Sequence, residues 1–103
     1  MKGYQFRDAQ SIGWRKSTFA AGIEVKDLGT ANGRSMQLVR FAAGASFPLH
    51  QHNGPEFIYL LEGDAVQEGQ VLSTGWAVVA ETGTIDSNFH SPGGCVFLTV
   101  YSD

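Results

Sequence analysis

The sequence is short of the features that mark several protein classes. It has a single cysteine, Cys95, so no intrachain disulfide can form. That usage fits a reducing compartment, and a cytoplasmic location is expected. It has no basic block: Arg15-Lys16 is the only adjacent basic pair, and the net charge is -3. Nucleic-acid binding is therefore not expected. No apolar run approaches the ~20 residues of a membrane span. The start, Met1-Lys2-Gly3-Tyr4-Gln5, is polar, so neither a signal peptide nor a membrane partner is expected. Amphipathic helices are missing too. Glycines, Pro48, Pro55, Pro92 and β-branched residues repeatedly break helical spacing. There is no internal repeat, low-complexity tract or linker.

What remains reads as one globular domain over residues 1–103, with 43% hydrophobic and 17% charged residues. Thirteen glycines are about twice the ordinary share of ~7%. They are dispersed, as short strands joined by tight turns require. Strands are expected over 22–28, 35–41, 56–62, 76–80 and 95–101. Turns are expected at Gly29 to Gly33, Asn53-Gly54-Pro55, Glu68-Gly69, Glu81 to Gly83 and Pro92-Gly93-Gly94. This spacing implies an all-β sandwich or barrel. Residues 1–20 are less patterned, with Trp14 to Phe19 a candidate edge strand.

The chemistry concentrates between Gly44 and Gly63. His50 and His52 are two apart on an expected strand and so share a face. Their backbones lie only ~6–7 Å apart, given a rise of ~3.3 Å per residue. Asn53-Gly54-Pro55 turns the chain, and Glu56 opens the next strand with its carboxylate able to return to the same point. Two imidazoles and a carboxylate suit a divalent first-row transition metal, one of Fe, Mn, Ni, Zn or Cu. Open positions would remain, as in a catalytic or ligand-binding centre.

These residues carry a resemblance to the cupin superfamily. Its first motif, G-x5-H-x-H-x3-E-x6-G, is matched by Gly44, His50, His52, Glu56 and Gly63. The resemblance implies an RmlC-like jelly-roll barrel, the double-stranded β-helix, with residues 44–63 as first motif and 75–90 as a degenerate second. In that second motif, G-x5-P-x-G-x2-H-x3-N, Gly75 and Gly83 are kept. Glu81 replaces the proline, Asp86 the histidine ligand and His90 the asparagine. Asp86 could ligate directly, or His90 could reach in from the same strand face. On a regular strand the two lie ~13 Å apart, so both cannot serve one ion unless the chain bulges around Ser87-Asn88. A third alternative is that neither ligates.

Residues 37–44, 60–63 and 91–96 further resemble the cupin domain of ChrR anti-sigma factors and its single-domain relatives. In ChrR a separate N-terminal zinc domain holds the sigma factor. These 103 residues leave no room for that domain, so sigma-factor binding is not expected. The donor set and the wider cupin resemblance imply a metal-dependent enzyme acting on a small carbonyl substrate, either a dioxygenase or a Lewis-acid catalyst. The alternative is a non-catalytic module that binds a metal and a small ligand, or senses with them; a metal-free structural or interaction domain is a further alternative. The resemblance also implies a homodimer, with residues 1–20 as an edge or exchanged strand segment.

Other conspicuous residues have plainer roles. Cys95 reads as a small core residue, because no basic neighbour would lower its pKa. Trp14, Phe41, Phe57, Tyr59 and Trp76 read as core. Arg40, alone in an apolar strand, reads as the partner of a carboxylate such as Glu62. Asp86 has an Asx-turn reading, and His90 that of a loop-side histidine.

Overall fold

The computed structural model describes residues 2–86 and 88–103. Ten strands form around one core: β1 (Arg15–Lys16), β2 (Ile23–Ala31), β3 (Arg34–Phe41), β4 (His50–Gln51), β5 (Glu56–Gln67), β6 (Gln70–Ser73), β7 (Ala77–Ala80), β8 (Ile85–Asp86), β9 (Phe89–His90) and β10 (Cys95–Ser102). The only helical element among the described residues is one 3-10 turn, Ala9–Ser11. None is long and apolar enough to cross a membrane. The architecture is the all-β jelly roll expected from the sequence.

The five expected strands are β2, β3, β5, β7 and β10, each shifted at its ends by a few residues. Turn chemistry explains the hairpins. Asn32 and Gly33 both have positive φ between the paired Ala31 and Arg34, as do Glu68 and Gly69 between Gln67 and Gln70. Two left-handed residues in a two-residue loop match the right-handed twist of the flanking strands.

The first sheet runs β1-β2-β3-β10-β5, all antiparallel, and β7 adds to the front half of β5. β5 then leaves that sheet. Its rear half pairs with β6 on one side and β9 on the other, while β4 and β8 form a separate ladder. The departure occurs at a bulge. Phe97 faces Leu60 but Val96 faces Glu62, so Leu61 is an extra residue and inward parity changes. Ile58 and Leu60 point inward before the bulge, and Ala65 after it. Gly63 completes the bend with φ 80, and a side chain there would strike the Gly94 carbonyl. Only glycine fits both demands.

Inward residues alternate along each strand: Ile23 and Val25, Val39 and Phe41, Cys95, Phe97 and Thr99. With Phe89 and the half-buried Phe47 they enclose an aromatic cluster in which Phe41, Phe89 and Phe97 have ring centroids 5.5–5.6 Å apart. Burial pushes the Cys95 thiol above its ordinary value, which leaves it a small core residue as read from the sequence.

Two side-chain expectations are corrected. Arg40 pairs with Glu24 at 2.7 Å, not with Glu62. The β2–β3 register sets Glu24 directly opposite Arg40, and Trp14 lies under its guanidinium at 4.3 Å. Phe57, Tyr59 and Trp76 are not core but are about half exposed. For Phe57 and Tyr59 the cause is parity, since their inward neighbours on β5 are Glu56, Ile58 and Leu60.

Phe97 is fully enclosed, so Phe97→Ala should lower stability by about 3–5 kcal/mol. Gly63→Ala should cost more than about 1 kcal/mol through its backbone conformation alone. Urea unfolding monitored by tryptophan fluorescence checks both. Unchanged midpoints would contradict this packing.

Candidate metal centre

The short β4 ladder places the first two candidates. His50 sits opposite Asp86, and the ladder continues past β4 through His52 N–H donating to the Thr84 carbonyl at 2.9 Å. The two imidazoles therefore stay on one side, with ring centroids 4.9 Å apart. The chain then turns at Asn53-Gly54-Pro55 onto β5. Any side chain at Gly54 would run into Ser102, so this turn packs against the end of β10 only as glycine. Glu56 follows at the inward-facing start of β5.

The ligand atoms of His50, His52 and Glu56 all lie within 4.8 Å of one another, the only such group among the described residues. Each side chain is oriented by a neighbour. His50 Nδ1 lies 2.8 Å from the Pro48 carbonyl oxygen, which can only accept. Nδ1 therefore carries the proton and Nε2 presents its lone pair. The His50 ring is packed edge-on against Phe19 and Phe47. Glu56 Oε2 accepts from Thr99 Oγ1 at 2.7 Å, while Oε1 lies 3.2 Å from His52 Nδ1. Thr99 comes from the middle of β10 and is buried. It lies outside both motifs. Its signal was a lone hydroxyl at an inward position of an otherwise apolar strand.

The structure separates Asp86 from His90. Asp86 is buried on β8, not in an exposed turn, with Oδ2 3.8 Å from His50 Nε2 and Oδ1 accepting from Gln67 at 3.2 Å. His90 belongs to a different ladder. It follows the fully buried Phe89, faces Val66 and Ser46 and, like Asp86, stands outside the three-residue cluster. Consecutive strand residues point to opposite faces, so with Phe89 in the core His90 points away from it. Of the two positions read as a bulge, Ser87 lies outside the described residues.

The electrostatics fit a cation. Glu56 and Asp86 bring two carboxylates into the interior, with side chains only 12% and 7% exposed. Among the described residues their ion-pair contacts are with His50 and His52 alone, not with lysine or arginine. Burial raises the Glu56 carboxyl above its ordinary value; Thr99 and the two histidines oppose that, and Asp86 adds to it. Buried carboxylates are normally paired or coordinate a metal. Two imidazoles with one or two carboxylates match borderline first-row ions.

The cluster lines a cavity of about 360 Å³. Its walls include Ile23, Val25, Val39 and Phe47, together with Arg15, Gln37 and Tyr101. There Arg15 donates two hydrogen bonds to Asp27, and Gln37 donates a third. Arg15 and then Gln37 hold the Asp27 carboxyl below its ordinary value.

Residues 3–102 match the model of the ChrR cupin-like domain. The chain belongs to this family. Comparison with curated proteins finds no match. Among solved structures, a proposed acetylacetone dioxygenase of Methylibium petroleiphilum superposes with a TM-score of 0.88 at 18% identity, over 96% of this chain and 76% of that one. An acetylacetone dioxygenase from Acinetobacter johnsonii gives 0.82 at 17% identity, over 99% and 74%. A chain of the Rhodobacter sphaeroides complex of SigE with the anti-sigma ChrR gives 0.77 at 20%, over 93% of this cupin and 51% of that chain. At these identities the likeness shows the fold, with RmlC-like cupins among the neighbours.

Thr99→Val should weaken metal binding about 10–100-fold, because a support of a ligand is lost while the ligand remains. His90→Ala should leave metal content unchanged. Calorimetric titration with Zn(II) and Mn(II) checks both. Loss of binding in His90→Ala would show that this histidine reaches the ion.

Proposed function

We propose that this cupin holds one divalent transition metal on His50, His52 and Glu56 and acts there on a small carbonyl compound with dioxygen. The observation that carries this reading is the convergence of three ligand atoms in the wall of a cavity lined by both polar and apolar side chains. Two histidines and one carboxylate with open positions form the donor set of non-haem Fe(II) oxygenases. When bound, the metal would supply Lewis acidity and a place to activate dioxygen. The acetylacetone dioxygenase neighbours point to oxidative C–C cleavage of a β-diketone as the concrete reaction.

The chain's own residues have distinct tasks. His50 and His52 would offer imidazole nitrogens to the ion, and the Pro48 carbonyl orients the His50 ring through Nδ1. Thr99 holds one Glu56 oxygen so that the other faces His52. Ile23, Val25, Val39 and Phe47 give the cavity an apolar wall that suits a substrate with short apolar substituents. Asp86 stands beside His50 at the position of the missing motif histidine, and is the candidate to complete the donor set.

A second reading is supported by that same aspartate and by the family. The domain would bind the metal and a small ligand without turnover, as a sensing module.

Three measurements test these readings. Elemental analysis of protein purified without a histidine tag should find close to one equivalent of metal, and His50→Ala less than about one-tenth with the barrel still folded. Less than one-tenth in the native protein, with none taken up on titration, would remove the metal from both readings. The Fe(II)-loaded protein should then consume dioxygen with at least one member of a panel of β-diketones and catechols. Metal bound at full occupancy with no uptake on any of them would leave the sensing module. X-ray absorption of Asp86→Asn against native protein tests the aspartate: loss of one oxygen scatterer is expected, and identical spectra would exclude it.

A further inference from the structure

The inner face of the first sheet carries a polar row that the chemistry above leaves half used. Thr99, which holds Glu56, stands directly opposite Gln37 of β3, and Gln37 stands directly opposite Asp27 of β2. Arg15 joins the row from β1. It sits opposite the inward-facing Val25 and so shares its face, and it lines the same cavity as His50, His52 and Glu56. Its Nε and Nη2 grip the two Asp27 oxygens at 2.7 and 2.9 Å. That fixes the half-exposed guanidinium and leaves its Nη1–Nη2 edge, a second fork of donors, with no partner among the described residues. Nor does Asp27 make this end of the cavity anionic. Arg15 and Gln37 hold its carboxyl below the ordinary value, and Arg7 adds a second positive charge nearby to the same effect. Two guanidinium groups thus stand against one carboxylate.

We propose that the cavity takes a small oxo acid, with its carbonyl at the metal and its carboxylate on the free Nη1–Nη2 edge of Arg15. This placement rests on the carbonyl binding proposed above and adds the second anchor of the substrate. Three considerations select a carboxylate. A planar guanidinium edge pairs with two parallel oxygens, which a ketone, alcohol or amide does not offer. The spare positive charge is one, which suits a monoanion; a phosphate ester carries close to two charges at neutral pH. Reach is the third. Three strand spacings, about 14 Å, separate β5 from β2. Glu56 extends into that gap from one side and Arg15 from the other, so a chain of a few carbons spans what is left. Because Arg15 and Asp27 are both about half exposed, the carboxylate would stay partly hydrated and its desolvation would cost little.

The test uses the Zn(II)-loaded protein and two diketones that differ at one group: succinylacetone ends in a carboxylate where butyrylacetone ends in a methyl. Calorimetric titration of the native protein should show succinylacetone binding about tenfold more tightly or better, the effect of one charge-assisted pair. Arg15→Gln should bring the two affinities within about twofold of each other, because the fork is gone. Circular dichroism of the variant should match the native protein. The comparison of the two diketones on the native protein needs no variant. Equal affinities there would overturn the proposal and leave the metal with its carbonyl ligand in place. A preference that persists in Arg15→Gln would also overturn it, since the carboxylate would then sit on the metal. Binding of neither diketone would remove the carbonyl reading and this proposal together.

Discussion

The bulge at Leu61 is the constraint on which the rest of the barrel depends. β5 is a 12-residue strand shared between two ladder systems, and it can serve both only if its inward parity changes midway. Before the bulge, Glu56, Ile58 and Leu60 face the interior against Thr99 and Phe97 of β10. After it, Ala65 faces the interior against the strands that close the roll. Gly63 allows the bend because its backbone lies against Gly94 with no room for a side chain. A regular strand with the same residues would turn either Glu56 or Ala65 to solvent. The ligand set and the closure of the roll thus hang on one extra residue.

Placing Glu56 inside has an electrostatic consequence. Burial disfavours its charged form, and the compensation comes from Thr99 and the histidines, with no lysine or arginine among its described partners. Asp86 adds a second buried carboxylate close to His50. A small divalent cation would offset the Glu56 charge at the point where the ligand atoms of His50, His52 and Glu56 converge, with Asp86 beside it. Geometry and charge therefore argue for the same occupant by independent routes.

Much of this was legible in the sequence, for definite physical reasons. The H-x-H pair reads correctly because strand side chains alternate with period two, and Asn53-Gly54-Pro55 announces the return to Glu56. What was not legible depends on which strand lies beside which. Glu24 and Glu62 are equally plausible partners of Arg40 until the β2–β3 register is known. Phe57 and Tyr59 read as core because β5 is apolar on both faces, and periodicity cannot say which face is covered. Asp86 and His90 share a parity in sequence, yet the chain changes ladders between β8 and β9, so parity carries no information across that step. The four-residue β6 and the two-residue strands have patterns too short to stand out.

The change of ladders sharpens the question of what the aspartate does. With Glu56 as the only anionic ligand, a divalent ion retains one net positive charge, and a monoanionic enolate would neutralise it. With Asp86 also ligating, the donor set is neutral before any substrate arrives. An enolate would then add a charge that the ion no longer offsets. Gln67 holds one Asp86 oxygen, and the other lies 3.8 Å from His50 Nε2, near enough to share an ion and also near enough to remain its neighbour. The oxygenase reading is therefore favoured by an Asp86 that stays with Gln67, and the sensing reading by one that ligates. Coordination at this residue bears on the choice of function as directly as a turnover assay does.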